Sequence, residues 1–137
     1  MIDIEREVFT GLSAHISEKM QGLALLEELV AEPAEFPAVA MIEADNAAYR
    51  RSLGQSSREN HALLRYEICA YSNLSSGRKA QCRQILKEAD EYMQGLGFLR
   101  TALLTTAPGA DAACYRMTAV YRAVAGEDGK IYRDLSD

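Results

Sequence analysis

The side chains that could do chemistry are few and scattered. His15 and His61 are the only histidines. A metal-binding or general-base role would call for a Cys, His or carboxylate at matching spacing on the same face. His15 falls between the apolar rows of a helix and His61 opens a strand, and neither is expected to have such a neighbour at ligand spacing on the same face. The three cysteines, Cys69, Cys82 and Cys114, form no CxxC pair and no zinc-like spacing. Cys69 and Cys114 fall in strands and Cys82 in a helix, where a free thiol acts as a small apolar group. That usage fits a reducing, cytoplasmic setting. Ser75-Ser76-Gly77-Arg78-Lys79 lacks the GxxxxGK[ST] pattern of a phosphate loop and reads as a strand-to-helix turn with a serine cap. The carboxylate neighbours Glu27-Glu28, Asp90-Glu91 and Glu127-Asp128 point apart on any regular element, so none is an acid/base pair. An enzyme would have to rest on Glu43, Asp45 or Glu67. These absences argue against catalysis, and no cofactor or metal is expected.

The seven tyrosines, against no tryptophan, divide by face. Tyr66, Tyr115 and Tyr121 fall on core sides of strands, where aromatics pack. A pocket for a small molecule would have to be lined by them. Tyr71 lies on the side of its strand that carries Arg65 and Glu67, which makes it an interface candidate. The net charge of −5 argues against a general nucleic-acid surface, which needs excess Lys and Arg to displace counterions. Local basic pairs occur at Arg50-Arg51 and Arg78-Lys79. No stretch of about 18 apolar residues is present to span a membrane. The opening MIDIERE is acidic and polar, so no secretory signal is expected there.

The elements that must position these residues follow from period. Ile4, Val8, Leu12, Ile16 and Met20 recur every four residues and predict a helix from Asp3 to about Met20, with Asp3 as its cap. Gly11 interrupts it at a cost of up to about 1 kcal/mol relative to Ala unless another backbone comes close there. Residues 23–31, LALLEELVA, favour helix by propensity, but Gly22 and Pro33 leave room for a short strand equally well. Phe36 to Glu43 predicts a strand opened by Pro37. Residues 46–60 are polar, without a clean period, and predict a mobile, partner-contacting loop. Residues 62–70 alternate, with Ala62, Leu64, Tyr66, Ile68 and Ala70 on one side and Arg65 and Glu67 on the other.

A second helix follows the turn at 73–77. Its apolar face is Ala80, Ile85, Leu86, Ala89, Met93 and Leu96, and Gly95 and Gly97 are its C-terminal cap candidates. Phe98–Thr105 predicts a strand. Ala113–Ala125 alternates, with Tyr115, Met117, Ala119, Tyr121 and Ala123 inward and Arg116 and Arg122 outward. Asp128-Gly129 then turns the chain into a short strand at 130–133. At 137 residues this is one domain, 1–137. The fold class is α+β: an N-terminal helix and one mixed or antiparallel sheet of five to six strands, with the second helix packed on the same face.

Four segments in order, EFPAVAMIEADN (35–46), ENHALLRYEICAYSN (59–73), SGRKAQCRQILKEADEYMQGLGF (76–98) and CYRMTAVYRAVAGEDGKIYR (114–133), together resemble the tail terminators. These are small tail-completion and neck proteins encoded in head–tail gene clusters of tailed bacteriophages and prophages. The resemblance covers about 100 residues, and its motifs are packing and turn features. It implies that residues 23–31 form a strand.

The resemblance also implies a structural virion protein without an active site. Copies would form a ring, commonly six-fold, that caps the tail tube, stops its elongation and joins the tail to the head connector. Partners would be further copies of the chain, a tail tube or sheath protein and the connector. No membrane is expected, and no nucleic-acid contact beyond DNA passing through the ring lumen. Localisation would be the virion tail or neck, assembled in the bacterial cytoplasm. The alternatives are another neck, minor tail or minor capsid component, or a small-molecule-binding α+β domain. A ring needs two different patches per subunit, and Arg50, Arg51, Arg65, Glu67, Tyr71, Arg116 and Arg122 are the interface candidates, since Arg and Tyr are enriched at interface hot spots.

Overall fold

The structure, a computed structural model, describes residues 1–49, 61–106 and 114–132. Two helices and six strands follow in the order α1 (Glu5–Lys19), β1 (Ala24–Leu26), β2 (Ala38–Ala48), β3 (His61–Ser72), α2 (Arg78–Leu96), β4 (Leu99–Thr106), β5 (Tyr115–Gly126) and β6 (Ile131–Tyr132). The strands form one mixed sheet in the order β1-β2-β3-β5-β4, with β6 beside β4 along the same edge of β5. β1 runs parallel to β2 and all other pairings are antiparallel. Because β3 and β4 both oppose β5, they run parallel to each other, and α2 is the crossover between them. This is the α+β class that the patterning predicts, with both helices on one face.

The core is the layer between helices and sheet. Val8, Leu12 and Ile16 of α1 and Cys82, Ile85, Leu86, Ala89 and Met93 of α2 close over it. From the sheet come Ala62, Leu64, Tyr66, Ile68 and Ala70, facing Met117, Ala119, Tyr121, Ala123 and Ala125. The period of two put these residues on one face of their strands. On α2 the inward position in the first turns belongs to Cys82, while Ala80 is exposed, contrary to expectation. The Cys82 thiol donates to the carbonyls of Ala70 at 3.5 Å and Tyr115 at 3.7 Å, which ties the helix to β3 and β5.

Both expected helix caps differ. Ile4, not Asp3, is the N-cap of α1, and it makes no side-chain cap bond. At α2 the turn is present but the serine cap is not. Gly77 takes the N-cap in a left-handed conformation (φ 82°) that glycine adopts without strain. The only buried serine nearby, Ser72, instead donates to Gln81 Oε1 and accepts the Leu74 N–H at 3.4 Å, closing the turn from the strand side. Gly97 does end α2 with left-handed geometry (φ 108°), its N–H and that of Phe98 returning to the carbonyls of Gln94 and Met93.

Two further boundaries move. Residues 23–31 hold a strand, but only over Ala24–Leu26, paired with Ala38–Ala40. The expected loop from 46 begins later. Asn46, Ala47 and Ala48 pair with Leu64, Leu63 and Ala62, and the Tyr49 N–H donates to the His61 carbonyl at 2.8 Å. The register shift between Glu43 and Asp45 lets β2 bend and continue beside β3. The remainder of that segment, with Arg50 and Arg51, lies outside the described residues.

Candidate functional site

The sheet face turned away from the helices carries most of the expected interface residues. Arg65 and Arg122 are register partners across β3 and β5, and Asp45 pairs with Arg65 from β2, so three charged positions form a row across the sheet. Arg65 Nη2 lies 3.8 Å from Glu67 Oε2 on the same strand. Around this row stand the half-buried Leu63, Ile42 and Val120. On β4, Leu104 pairs with Thr118 on this same face and is 55% exposed. Charged side chains and partly exposed apolar ones thus share this face of the sheet.

Tyr71 is the exception. It shares the face but is buried, and with it Ala38, Ala40 and Cys69 form a second small core under Leu26, Val30 and Phe36. The segment after β1 folds over this end of the sheet. Tyr71 Oη donates to the Val30 carbonyl at 2.8 Å and accepts the Val30 N–H at 3.3 Å. Tyr71 is therefore a latch and not a contact residue, and burial pushes its phenol up to about 12. Arg116, its register partner on β5, is half-buried beside this covered end. So Arg65, Glu67 and Arg122 come together, Arg116 borders the cover, and Tyr71 lies under it.

The carboxylates that an enzyme would need are divided between the two faces. Asp45 and Glu67 lie with Arg65 on the outer face, whereas Glu43 pairs with Tyr66 on the helix side. There Glu43 Oε2 accepts from Asn46 Nδ2 at 3.3 Å, and its backbone N–H donates to Glu5 Oε2 at 2.8 Å. Burial first, then the nearby Glu5 and Asp3, raises the Glu43 carboxyl above its ordinary value. Glu43 Oε1 and Tyr66 Oη are both buried without a hydrogen-bond partner. The three acids do not converge on one point.

The tyrosines that a ligand pocket would need are mostly consumed by packing. Tyr66 is fully buried, its ring 5.2 Å from that of Phe98. Tyr121 reaches an open cleft of about 170 Å³ between α2 and β4, floored by Leu86, Leu103 and Met117. That is smaller than the roughly 300–1,000 Å³ usual for a ligand pocket. The Tyr121 hydroxyl is already committed, donating to Asp90 Oδ1 at 2.8 Å. Asp90 also accepts Arg100 Nε at 3.0 Å and Gln94 Nε2 at 2.6 Å.

The thiols are not nucleophiles in waiting. Burial raises Cys69 and pushes Cys82 up to about 12, so both are neutral near pH 7. Cys114, expected in a strand, precedes β5 by one residue. The expectation that His15 lacks a carboxylate fails in three dimensions. α2 brings Glu88 Oε2 to 3.6 Å from His15 Nε2, a meeting between helices that spacing within one element cannot show.

Among the described residues, no helix is long and apolar enough to cross a membrane. No protein-family model matches the chain, and no curated protein matches its sequence.

Proposed function

We propose that the protein is a structural virion component of a tailed bacteriophage or prophage, a ring-forming tail terminator. In this role it caps the tail tube, stops its elongation and joins the tail to the head connector. The single observation that carries the reading is the outer sheet face. Among the described residues, both helices lie on the other side, the post-β1 segment covers only one end, and Arg65, Glu67 and Arg122 stand among Leu63, Ile42, Val120 and Leu104.

The two edges of the sheet add a second support, because a closed ring needs unlike patches. On the β4 side an eight-residue strand ends the sheet with no further strand beyond it among the described residues. Such an edge is a template for pairing with another chain. On the β2 side the carboxylate of Glu5 occupies the Glu43 N–H, the Asp45 side chain accepts the Asn46 N–H at 2.9 Å, and the register shift bends the strand. Among the described residues, the β4 edge and the stretch of β2 beyond β1 are thus unlike, since Glu5 and Asp45 occupy N–H groups on the latter.

The test is capping. Purified tail tube protein is polymerised with and without the chain, and tube lengths are measured by electron microscopy. The reading expects shortened tubes bearing density at one end. Tubes of unchanged length, without end density across the tail tube proteins of the same gene cluster, would refute it.

A further inference from the structure

His15 on α1 and Glu88 on α2 face each other across the helix pair, and their facing atoms, Nε2 and Oε2, are both buried without a hydrogen-bond partner. At 3.6 Å the two atoms are at ion-pair distance but too far apart for a hydrogen bond, so both remain under-satisfied, and a cation between them would satisfy both. Glu91 lies three residues beyond Glu88, which places it on the same side of α2. One ligand atom from each of His15, Glu88 and Glu91 lies within 4.8 Å of the others.

We propose that these three side chains bind a divalent transition metal of the zinc class, fastening α1 to α2. One imidazole nitrogen and two carboxylate oxygens suit zinc, which takes such donors at about 2.0–2.2 Å and leaves a fourth position for water. Calcium wants six to eight oxygens, more than this set offers. The imidazole is held in place by the Tyr92 ring, 5.6 Å away between centroids. Glu91 is exposed and can turn inward without disturbing the core. The competing arrangement is the direct His15–Glu88 contact at 3.6 Å with no ion between them, and one-to-one metal binding that weakens on loss of Glu91 separates the two.

The experiment uses the full chain, reduced and stripped with chelator, titrated with zinc chloride by calorimetry and with cobalt chloride by visible absorption. One ion per chain is expected, with a cobalt spectrum lacking sulfur-to-metal charge-transfer bands, which separates this site from the three cysteines. Glu91→Gln should melt like the metal-free parent yet bind at least about tenfold more weakly, and His15→Asn should lose the site. Absence of one-to-one binding would overturn the proposal. So would thiolate bands, or affinity unchanged in Glu91→Gln. None of these outcomes bears on ring formation, which rests on the opposite face of the sheet.

Discussion

Gly11 of α1 lies directly against the side chain of Tyr92 on α2. A Cβ at position 11 would collide with the Tyr92 hydroxyl and stand 2.7 Å from its Cζ. The glycine in the helix thus makes room for a side chain, where the sequence suggested a backbone. The same tyrosine packs on His15, so the contact fixes the spacing of the helix pair.

Gly11→Ala should therefore destabilise the protein by about 1–2 kcal/mol, because the clash outweighs a propensity gain of up to about 1 kcal/mol. In a Tyr92→Ala background the same change should become neutral or stabilising. Denaturant unfolding of the four proteins in the cycle measures the coupling.

Tyr71→Phe should release the segment after β1. Both backbone groups of Val30 lose their partner at once, so a loss of about 1–3 kcal/mol is expected. Hydrogen exchange at Val30 and limited proteolysis within residues 27–36 should both accelerate, while exchange in α2 stays as it was.

Glu43 binds its proton more tightly in the folded protein than at the ordinary carboxyl value of 4.5. The folded state then holds more protons in the window above that value, so this group costs stability as pH rises toward neutral. Glu43→Gln should melt higher than the parent at pH 7. Its advantage should shrink as pH falls toward 4.5, which thermal melts of both proteins at several pH values would show.

Tyr66, Tyr71 and Tyr121 all hold their protons above the ordinary phenol value of 10.0, Tyr71 to about 12. Burial is the first cause in each, with Glu43 beside Tyr66 and Asp90 beside Tyr121 adding to it. A raised phenol contributes stability in full below 10 and loses it as pH climbs toward the folded value. Absorbance at phenolate wavelengths should rise in two phases, the second coinciding with loss of circular dichroism. A single phase complete before unfolding would contradict this burial.

The alternations at 62–70 and 115–125 were legible in the sequence because a strand with one buried face writes its period into residue type. Three other features were not. Asn46, Ala47 and Ala48 are small or polar and look like loop, yet β3 supplies their pairing partners, so tertiary context decides. Tyr71 sits at the period of Arg65 and Glu67, and nothing in that period shows Val30 folding over it. His15 and Glu88 meet only because two helices lie side by side, and no spacing rule within one element detects that. Arg65, Glu67 and Arg122, by contrast, were readable, because position on a strand settles which face a side chain takes.

The central claim, assembly through the outer face, is tested most directly by sedimentation of the full chain across a wide concentration range, beside a double variant, Arg65→Glu with Leu104→Glu. Both side chains are exposed, but a Glu at 65 would stand beside Glu67 and opposite Asp45, so Leu104→Glu alone is run as the variant expected to melt as the parent does. The parent is expected to form a closed oligomer of fixed stoichiometry as concentration rises, and the double variant to remain monomeric. A parent that stays monomeric at every concentration, with purified tails present or absent, would contradict it.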